Sequence, residues 1–287
     1  MTGTLHLDNV SGAFAQNWLE LVPSQALKLA GVLLGADGQK MHAALGELKA
    51  HEVIPAALTE KANAAYMAVA MQALSIIINP NAKIEFWKKY IALKPEHFAQ
   101  IISQENNPVK WCFTGGPLTQ IVPTITIKGV KHFGPRNYLG GIQFGEYLTV
   151  QKRYLSWTKS NQLIDLCRFV ACLYRPENTS LSIDTAAYHQ DRRIAFVAHV
   201  CDERAVDFVG VSPEFLYLAA LYWAGCHERM RVDFPNIFKG GKKSSITDGE
   251  LILLLAGSSR KDDVEQQAQA PVLNVLMQLN MPPKESR

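Results

Sequence analysis

Residues 140–176 read GGIQFGEYLTVQKRYLSWTKSNQLIDLCRFVACLYRP, and this stretch decides the fold class of the chain. From Phe144 onward the apolar side chains cluster on one side of a helical projection, and polar residues such as Lys152 lie on the other. Leu163 to Leu173 follows as a second helix, apolar over most of its surface, and Arg175-Pro176 ends it. The stretch therefore predicts an amphipathic helix followed by a buried one.

The first hundred residues also carry repeated helical signals. Ala26 to Leu34 is an apolar run that Gly35 ends. The run from Ala64 to Ile78 is interrupted by Gln72 and Ser75, and it is shorter than the roughly 20 residues that span a bilayer, so it predicts a buried helix. Further helical patterns cover residues 41–48, 58–78, 84–91 and 95–102. This part is predicted to be a helical bundle with short connections.

The pattern changes between residues 106 and 143. Ile121 to Ile127 is rich in β-branched residues, which favour extended backbone, and glycines surround it. Pro123 has no N–H for a sheet ladder, so the strand is expected at an edge or with a bulge. We therefore expect a mainly α fold in which two helical parts, residues 1–105 and 144–287, are joined by a small β-hairpin or extended arm.

The second helical part contains a strong helix start. Ser212-Pro213-Glu214 combines an N-cap residue, a first-turn proline and an early acid. Phe215 to Ala224 is apolar nearly all round and is predicted at the centre of the second core. Residues 258–269 form a polar segment that could swing, and the apolar spacing from Pro271 to Leu279 predicts a final amphipathic helix.

Composition, charge and cysteine usage indicate the broad class of the protein. The chain has 287 residues, 48% of them hydrophobic and 19% charged, which is the balance of a globular protein. A net charge of +3 argues against a dedicated nucleic-acid binder. Five widely spaced cysteines favour a reducing, cytoplasmic setting, and the start MTGTLHLDNVSGAF lacks the features of a signal peptide.

No pattern of catalytic, cofactor-binding or metal-binding residues is predicted. The basic loop 239–245 resembles a phosphate cradle, but Gly241-Lys242 is followed by another lysine rather than by Ser or Thr, so anion contact by Lys239, Lys242 and Lys243 is weighed against a solvated loop. His199, Cys201, Cys226 and His227 have poor spacing for zinc, because adjacent helical residues point about 100° apart. Asp191, Arg192 and Arg193 are expected in a polar surface patch.

An aromatic set concentrates in the second helical part. Aromatic residues and arginine dominate the energetics of protein interfaces, whereas core packing is the plainer role of such residues. An interface should leave part of the set exposed, and a core should bury all of it. The candidate interface residues are Tyr147, Tyr154, Trp157, Tyr174 and Arg175.

Several short motifs follow one another in a definite order between about Thr119 and Gly225. They are Thr124-Ile125-Thr126, His132-Phe133-Gly134-Pro135, Phe144-Gly145-Glu146-Tyr147, Leu173-Tyr174-Arg175-Pro176, Arg192-Arg193 and the helix that starts at Ser212. In this order the chain resembles tailed-phage and prophage assembly proteins of the tail-assembly-chaperone kind. The resemblance implies a helical, non-enzymatic protein that holds another tail component in the host cytoplasm.

Two alternatives to an assembly protein stay open from the sequence. The first is a structural component of the particle, in the tail or connector, since residues 1–100 lie outside the resemblance. The second is an enzyme or nucleic-acid-binding factor that uses loop 239–245 with Arg192 and Arg193. The expected partners are other phage or tail assembly proteins, a homo-oligomer is left open, and neither nucleic acid nor a membrane is expected.

Overall fold

A computed structural model of the chain shows a mainly α protein with two small antiparallel sheets. By contacts, the chain divides into unit 1, residues 1–117 with 213–221, and unit 2, residues 118–212 with 222–287. The structure describes residues 3–7, 10–49, 56–78, 109–113, 115–180, 191–238 and 260–280.

Unit 1 begins with a hairpin and continues with helices. Strand β1 (Gly3–Leu7) pairs antiparallel with β2 (Val10–Phe14), an element that the sequence did not predict. The helices that follow are α1 (Pro23–Leu34), α2 (Ala36–Lys49), α3 (Ala56–Ile77) and the short α4 (Lys110–Phe113). Helix α2 packs against α3, and α1 contacts both.

Local sequence signals explain where helix α1 begins and ends and which face it buries. Pro23 lies at its first position, and the Val22 N–H donates to the Gln25 side chain at 3.2 Å. Gly35 ends the helix, as predicted, and its N–H donates to Gly31 O at 2.8 Å. Side chains at three- and four-residue spacing form its buried face. They are Ala26, Leu29, Ala30 and Leu33.

Unit 2 contains the second sheet, in the strand order β3-β4-β5. Strand β3 (Thr124–Ile127) pairs antiparallel with β4 (Val130–Phe133), which pairs with β5 (Arg175–Pro176). Lys128 and Gly129 between β3 and β4 have φ values of 48° and 78°, which suit a two-residue hairpin turn. The hairpin was predicted and β3 lies at the edge of the sheet, but β5 was expected only to stop a helix.

Among the described residues after β4, two α-helices lie between β4 and β5 in sequence and five follow β5. They are α5 (Phe144–Ser160), α6 (Leu163–Leu173), α7 (Ala198–Phe208), α8 (Pro213–Asp233), α9 (Pro235–Phe238), α10 (Lys261–Gln269) and α11 (Val272–Asn280). Helix α6 packs between α5 and α7, and α10 and α11 contact α5. Phe169 and Tyr147 place their rings 6.0 and 5.5 Å from that of Trp223, whose indole N–H donates to Gln151 Oε1 at 2.9 Å.

Several predicted helix bounds and buried residues can be compared with the structure. Helix α6 has the predicted bounds, and α8 begins at Pro213 as the cap signals indicated. Phe215, Leu216 and Leu218 are buried as predicted, but contacts assign residues 213–221 to unit 1 rather than to the second part. Part of the polar segment 258–269 forms α10, whose Ala268 lies against Gly145.

Other predictions fall on residues that the structure does not describe. The helices expected over 84–91 and 95–102, and the basic loop 239–245, lie outside the described residues. Among the helices that are described, none combines the length and hydrophobicity of a bilayer-spanning segment.

Candidate functional site

Two carboxylates and two guanidinium groups meet inside unit 2. Glu146 lies in the first turn of α5, Arg175 in β5, and Asp191 and Arg193 in the segment before α7. Glu146, Arg175 and Arg193 are 2%, 2% and 3% exposed, and Asp191 is half-buried. Such a buried set of charges is uncommon without mutual pairing, so its hydrogen bonds define what it can do. We call these four residues the charge cluster.

Backbone pairing explains how the segment 191–194 reaches Arg175. The segment runs beside β5, where Asn178 N–H donates to Arg192 O at 2.7 Å and Ile194 N–H donates to Pro176 O at 2.9 Å. Glu177 and Arg193 form an antiparallel bridge between these hydrogen bonds. Strand β5 therefore has β4 on one side and this segment on the other, which holds Arg193 in the interior.

Glu146 is the shared acceptor of the cluster. Its Oε1 accepts a hydrogen bond from Arg193 Nη1 at 3.1 Å, and its Oε2 accepts one from Arg175 Nη2 at 3.3 Å. Each oxygen thus serves a different arginine. The carboxylate links α5 to β5 and to the segment before α7.

Each side-chain nitrogen of Arg193 donates a hydrogen bond. Its Nε donates to Asp191 Oδ1 at 2.8 Å, and its Nη2 donates to Asp191 Oδ2 at 2.7 Å, a two-pronged pairing of the strong kind. Its Nη1 donates to Leu173 O at 3.0 Å as well as to Glu146. Burial lowers the pKa of Arg193, but the charges of Glu146 and Asp191 outweigh that effect and raise it.

Arg175 has fewer hydrogen-bond acceptors than Arg193. Its Nη2 donates to Glu146 at 3.3 Å and to Asp191 at 3.4 Å, while its Nε and Nη1 are buried and have no hydrogen-bond partner. Its guanidinium carbon lies 5.5 Å from the centre of the Phe196 ring. Burial lowers the pKa of Arg175, Glu146 opposes that shift, and nearby Arg193 adds to it. Arg175 is therefore a buried cation with unmet donors.

A cavity of about 460 Å³ adjoins the cluster. All four cluster residues line it, together with the amide side chains of Gln143, Asn178 and Gln269 and several apolar residues. The apolar lining residues include Ile142, Ile194, Ala195, Phe196 and Pro271.

A larger open groove of about 900 Å³ lies on unit 2 between the sheet and the segment 191–192. Thr124 of the edge strand β3 and the preceding Pro123 line it, and Arg136 and Arg192 line it with exposed side chains. Asp191 lines both the groove and the cavity.

Tyr174 fixes the sheet beside the charge cluster. Its hydroxyl lies 2.7 Å from Gln120 Oε1 and 2.7 Å from Val122 O, two acceptors that share its single proton. A Cβ at Gly134 would come within 2.8 Å of the Tyr174 ring. The glycine is thus required by the close approach of the aromatic ring.

The predicted interface residues are mostly in the core. Tyr147, Trp157, Tyr174 and Arg175 are buried, and Tyr154 is half-buried with its ring 5.4 Å from that of Phe169. The structure thus gives each of them a packing or pairing contact, and an interface role for this set stays a prediction. The predicted anion contacts Lys239, Lys242 and Lys243 lie outside the described residues.

The sequence analysis missed most of the charge cluster. Arg193 was expected in a polar surface patch, which is wrong, since it is 3% exposed. Glu146 drew no functional interpretation, although it shares a helical face with the buried Val150, four residues on. An acid on an apolar face is the local signal that could have found it, because a buried carboxylate needs a cationic partner.

Cys172 and Cys201 form a pair of buried thiols. A hydrogen bond with Cys172 lowers the pKa of Cys201 to about 7, and Arg204, whose Nη2 lies 3.2 Å from the sulfur, adds to the effect. Cys201 is 0% exposed, so a substrate has no access to its sulfur in this conformation. Within the described residues no group of His, Cys, Asp and Glu side chains could hold a metal ion.

Comparison with known proteins finds no matching family model, no matching curated protein and no matching solved structure. A functional proposal for this chain therefore rests on the geometry of unit 2 and on the motif order in its sequence.

Proposed function

We propose that this chain is a non-enzymatic interaction protein of phage or prophage assembly, which holds another tail component in the host cytoplasm. The observation that carries the proposal is the convergence of the resembling motifs. Glu146, Arg175 and Arg193 come from three separate motifs, yet they meet in one network. Gly134 of a fourth motif lies against Tyr174.

The state of the carboxylates supports binding rather than catalysis. A general base needs an oxygen free to accept a proton from a substrate. Both oxygens of Glu146 and both of Asp191 already accept hydrogen bonds from guanidinium groups. These charges fix the relative positions of α5, β5 and the segment before α7, and so make the surface that they carry rigid.

The open groove is the surface that we assign to the partner. Strand β3 pairs with β4 on one side, and within the described part of the chain it has no strand on the other. Such an edge can accept an extended segment as an added strand. Arg136 and Arg192 on the groove favour an acidic segment through charge complementarity.

Co-purification tests the proposal. The tagged chain is produced together with the tail proteins encoded beside it, and the captured tail proteins are identified by mass spectrometry. We expect the wild-type chain to retain one tail component, and we expect Arg136→Glu with Arg192→Glu to lose it, because the reversed charges repel an acidic segment.

The control reverses two exposed lysines outside the groove, Lys152→Glu with Lys159→Glu on α5. This variant should capture the tail component as the wild type does. If the wild-type chain purifies alone from an assembling system, and deletion of its gene leaves complete particles, the proposal is wrong.

The alternatives from the sequence stay predictions. No contact among the described residues favours a structural virion component over an assembly factor. The enzyme or nucleic-acid-binding alternative depends on the basic loop 239–245, which lies outside the residues that the structure describes.

A further inference from the structure

The two buried arginines of the charge cluster are paired very unequally. Arg193 uses Nε, Nη1 and Nη2 in hydrogen bonds of 2.7 to 3.1 Å. Arg175 uses Nη2 alone, in contacts of 3.3 and 3.4 Å. Both side chains are at least nine-tenths buried, and both line the cavity. A buried charged donor without an acceptor is costly, and the fold retains one here beside a cavity.

The electrostatics of the cluster decide which acceptor fits. The four residues sum to zero charge, but Asp191 gives its short contacts to Arg193 and Glu146 is shared between the two arginines. The excess positive charge therefore lies on Arg175. A single negative charge completes its pairing, whereas a dianion would also meet the two resident carboxylates. A carboxylate is a monoanion that forms strong, charge-assisted hydrogen bonds with guanidinium.

We propose that the cavity of about 460 Å³ binds the carboxylate of a ligand with an apolar body, and that this carboxylate pairs with the guanidinium of Arg175, a lining residue whose own acceptors are incomplete. The volume is within the range of small-molecule sites. Ile142, Ile194 and Phe196 supply apolar contact for the body of the ligand. This site is distinct in function from the partner groove, and it does not depend on the assembly role.

A matched pair of probes tests the inference. Benzoate and benzamide have nearly the same shape and differ in charge, so calorimetric titration of the full chain with each isolates the contribution of the carboxylate. Benzoate should bind saturably, and benzamide at least about tenfold more weakly, as expected for loss of a charge-assisted hydrogen bond.

The decisive variant fills the cavity without touching the ion pairs. Ala195 is an exposed residue of the cavity lining, and Ala195→Trp should weaken benzoate binding by at least about tenfold. Ala198→Trp, at an exposed position that is not part of the lining, is the control and should bind benzoate as the wild type does. Arg175→Gln would also remove binding, but it leaves Glu146 incompletely paired in the interior and endangers folding.

The inference is overturned if benzamide binds as tightly as benzoate, if benzoate shows no saturable binding at millimolar concentration, or if Ala195→Trp binds it unchanged. Failure of the assembly proposal gives a different result. In that case the tagged chain captures no tail protein, while benzoate still binds the wild type and not the cavity-filling variant.

Discussion

Asp191 shows how a single residue makes the stability of unit 2 depend on pH. Burial by itself raises the pKa of this carboxyl, but hydrogen bonds and charge from Arg193, together with the charge of Arg175, outweigh burial and lower it. The ionised form is therefore favoured by folding. Its contribution to the free energy of unfolding is complete above the ordinary aspartate pKa of about 3.9, and it is lost as the pH falls through the lowered pKa.

The first prediction follows from the lowered pKa of Asp191. Asp191→Asn should lower the free energy of unfolding by about 2 kcal/mol at pH 7, the usual range for hydrogen bonds to charged groups. The difference from the wild type should shrink as the pH falls below about 3.9. Urea unfolding of both proteins across this range measures it. Asp262→Asn, at an exposed position in α10, is the control, and a pH-independent deficit for Asp191→Asn would contradict the assignment.

At the scale of elements, the residue that follows β4, Gly134, packs closely against Tyr174, the residue that precedes β5. The missing side chain of Gly134 leaves room for the Tyr174 ring, and the hydroxyl of that ring bonds the residues that lead into β3. The tyrosine is 1% exposed and held at both ends, so it has little freedom to move aside.

The second prediction concerns this contact. Gly134→Ala places a Cβ 2.8 Å from the Tyr174 ring, and such overpacking should lower stability by about 1 to 3 kcal/mol. Thermal unfolding measures the effect. Gly115→Ala is the matched control, because a Cβ there meets nothing within 4 Å. Equal melting temperatures for the Gly134→Ala variant and the wild type would show that the sheet does not depend on this packing.

At the scale of the whole molecule, α8 is the helix whose residues are shared between the two units. Its residues Pro213–Leu221 belong to unit 1 and the remainder to unit 2. Leu216 and Trp223 are both 0% exposed, so the helix is buried in both halves of its length.

The third prediction places a charge in that helix. Leu218 is 4% exposed, and Leu218→Asp should abolish soluble folding, since an unpaired buried charge costs several kcal/mol, comparable with the stability of a whole domain. Soluble yield and melting temperature are the measurements. Val232→Asp, on the same helix at 63% exposure, should fold normally. A soluble Leu218→Asp protein with an unchanged melting temperature would refute the placement of α8.

Local signals in the sequence were enough to determine the mainly α fold and several element boundaries. The bounds of α6, the start of α8 at Pro213 and the end of α1 at Gly35 follow from apolar periodicity, a first-turn proline and a C-cap glycine. These signals act within one or two turns of helix. They therefore need no knowledge of the rest of the chain.

Only the tertiary structure decided that Arg175-Pro176 is a strand, that Arg193 is buried and that the charge cluster exists. An arginine in an isolated segment belongs in water by default, and only a carboxylate brought from elsewhere in the chain can reverse that preference. Glu146 lies 47 residues from Arg193 in sequence. No local pattern encodes a pairing across such a distance, because the partner that offsets the cost of burial arrives only when the chain folds.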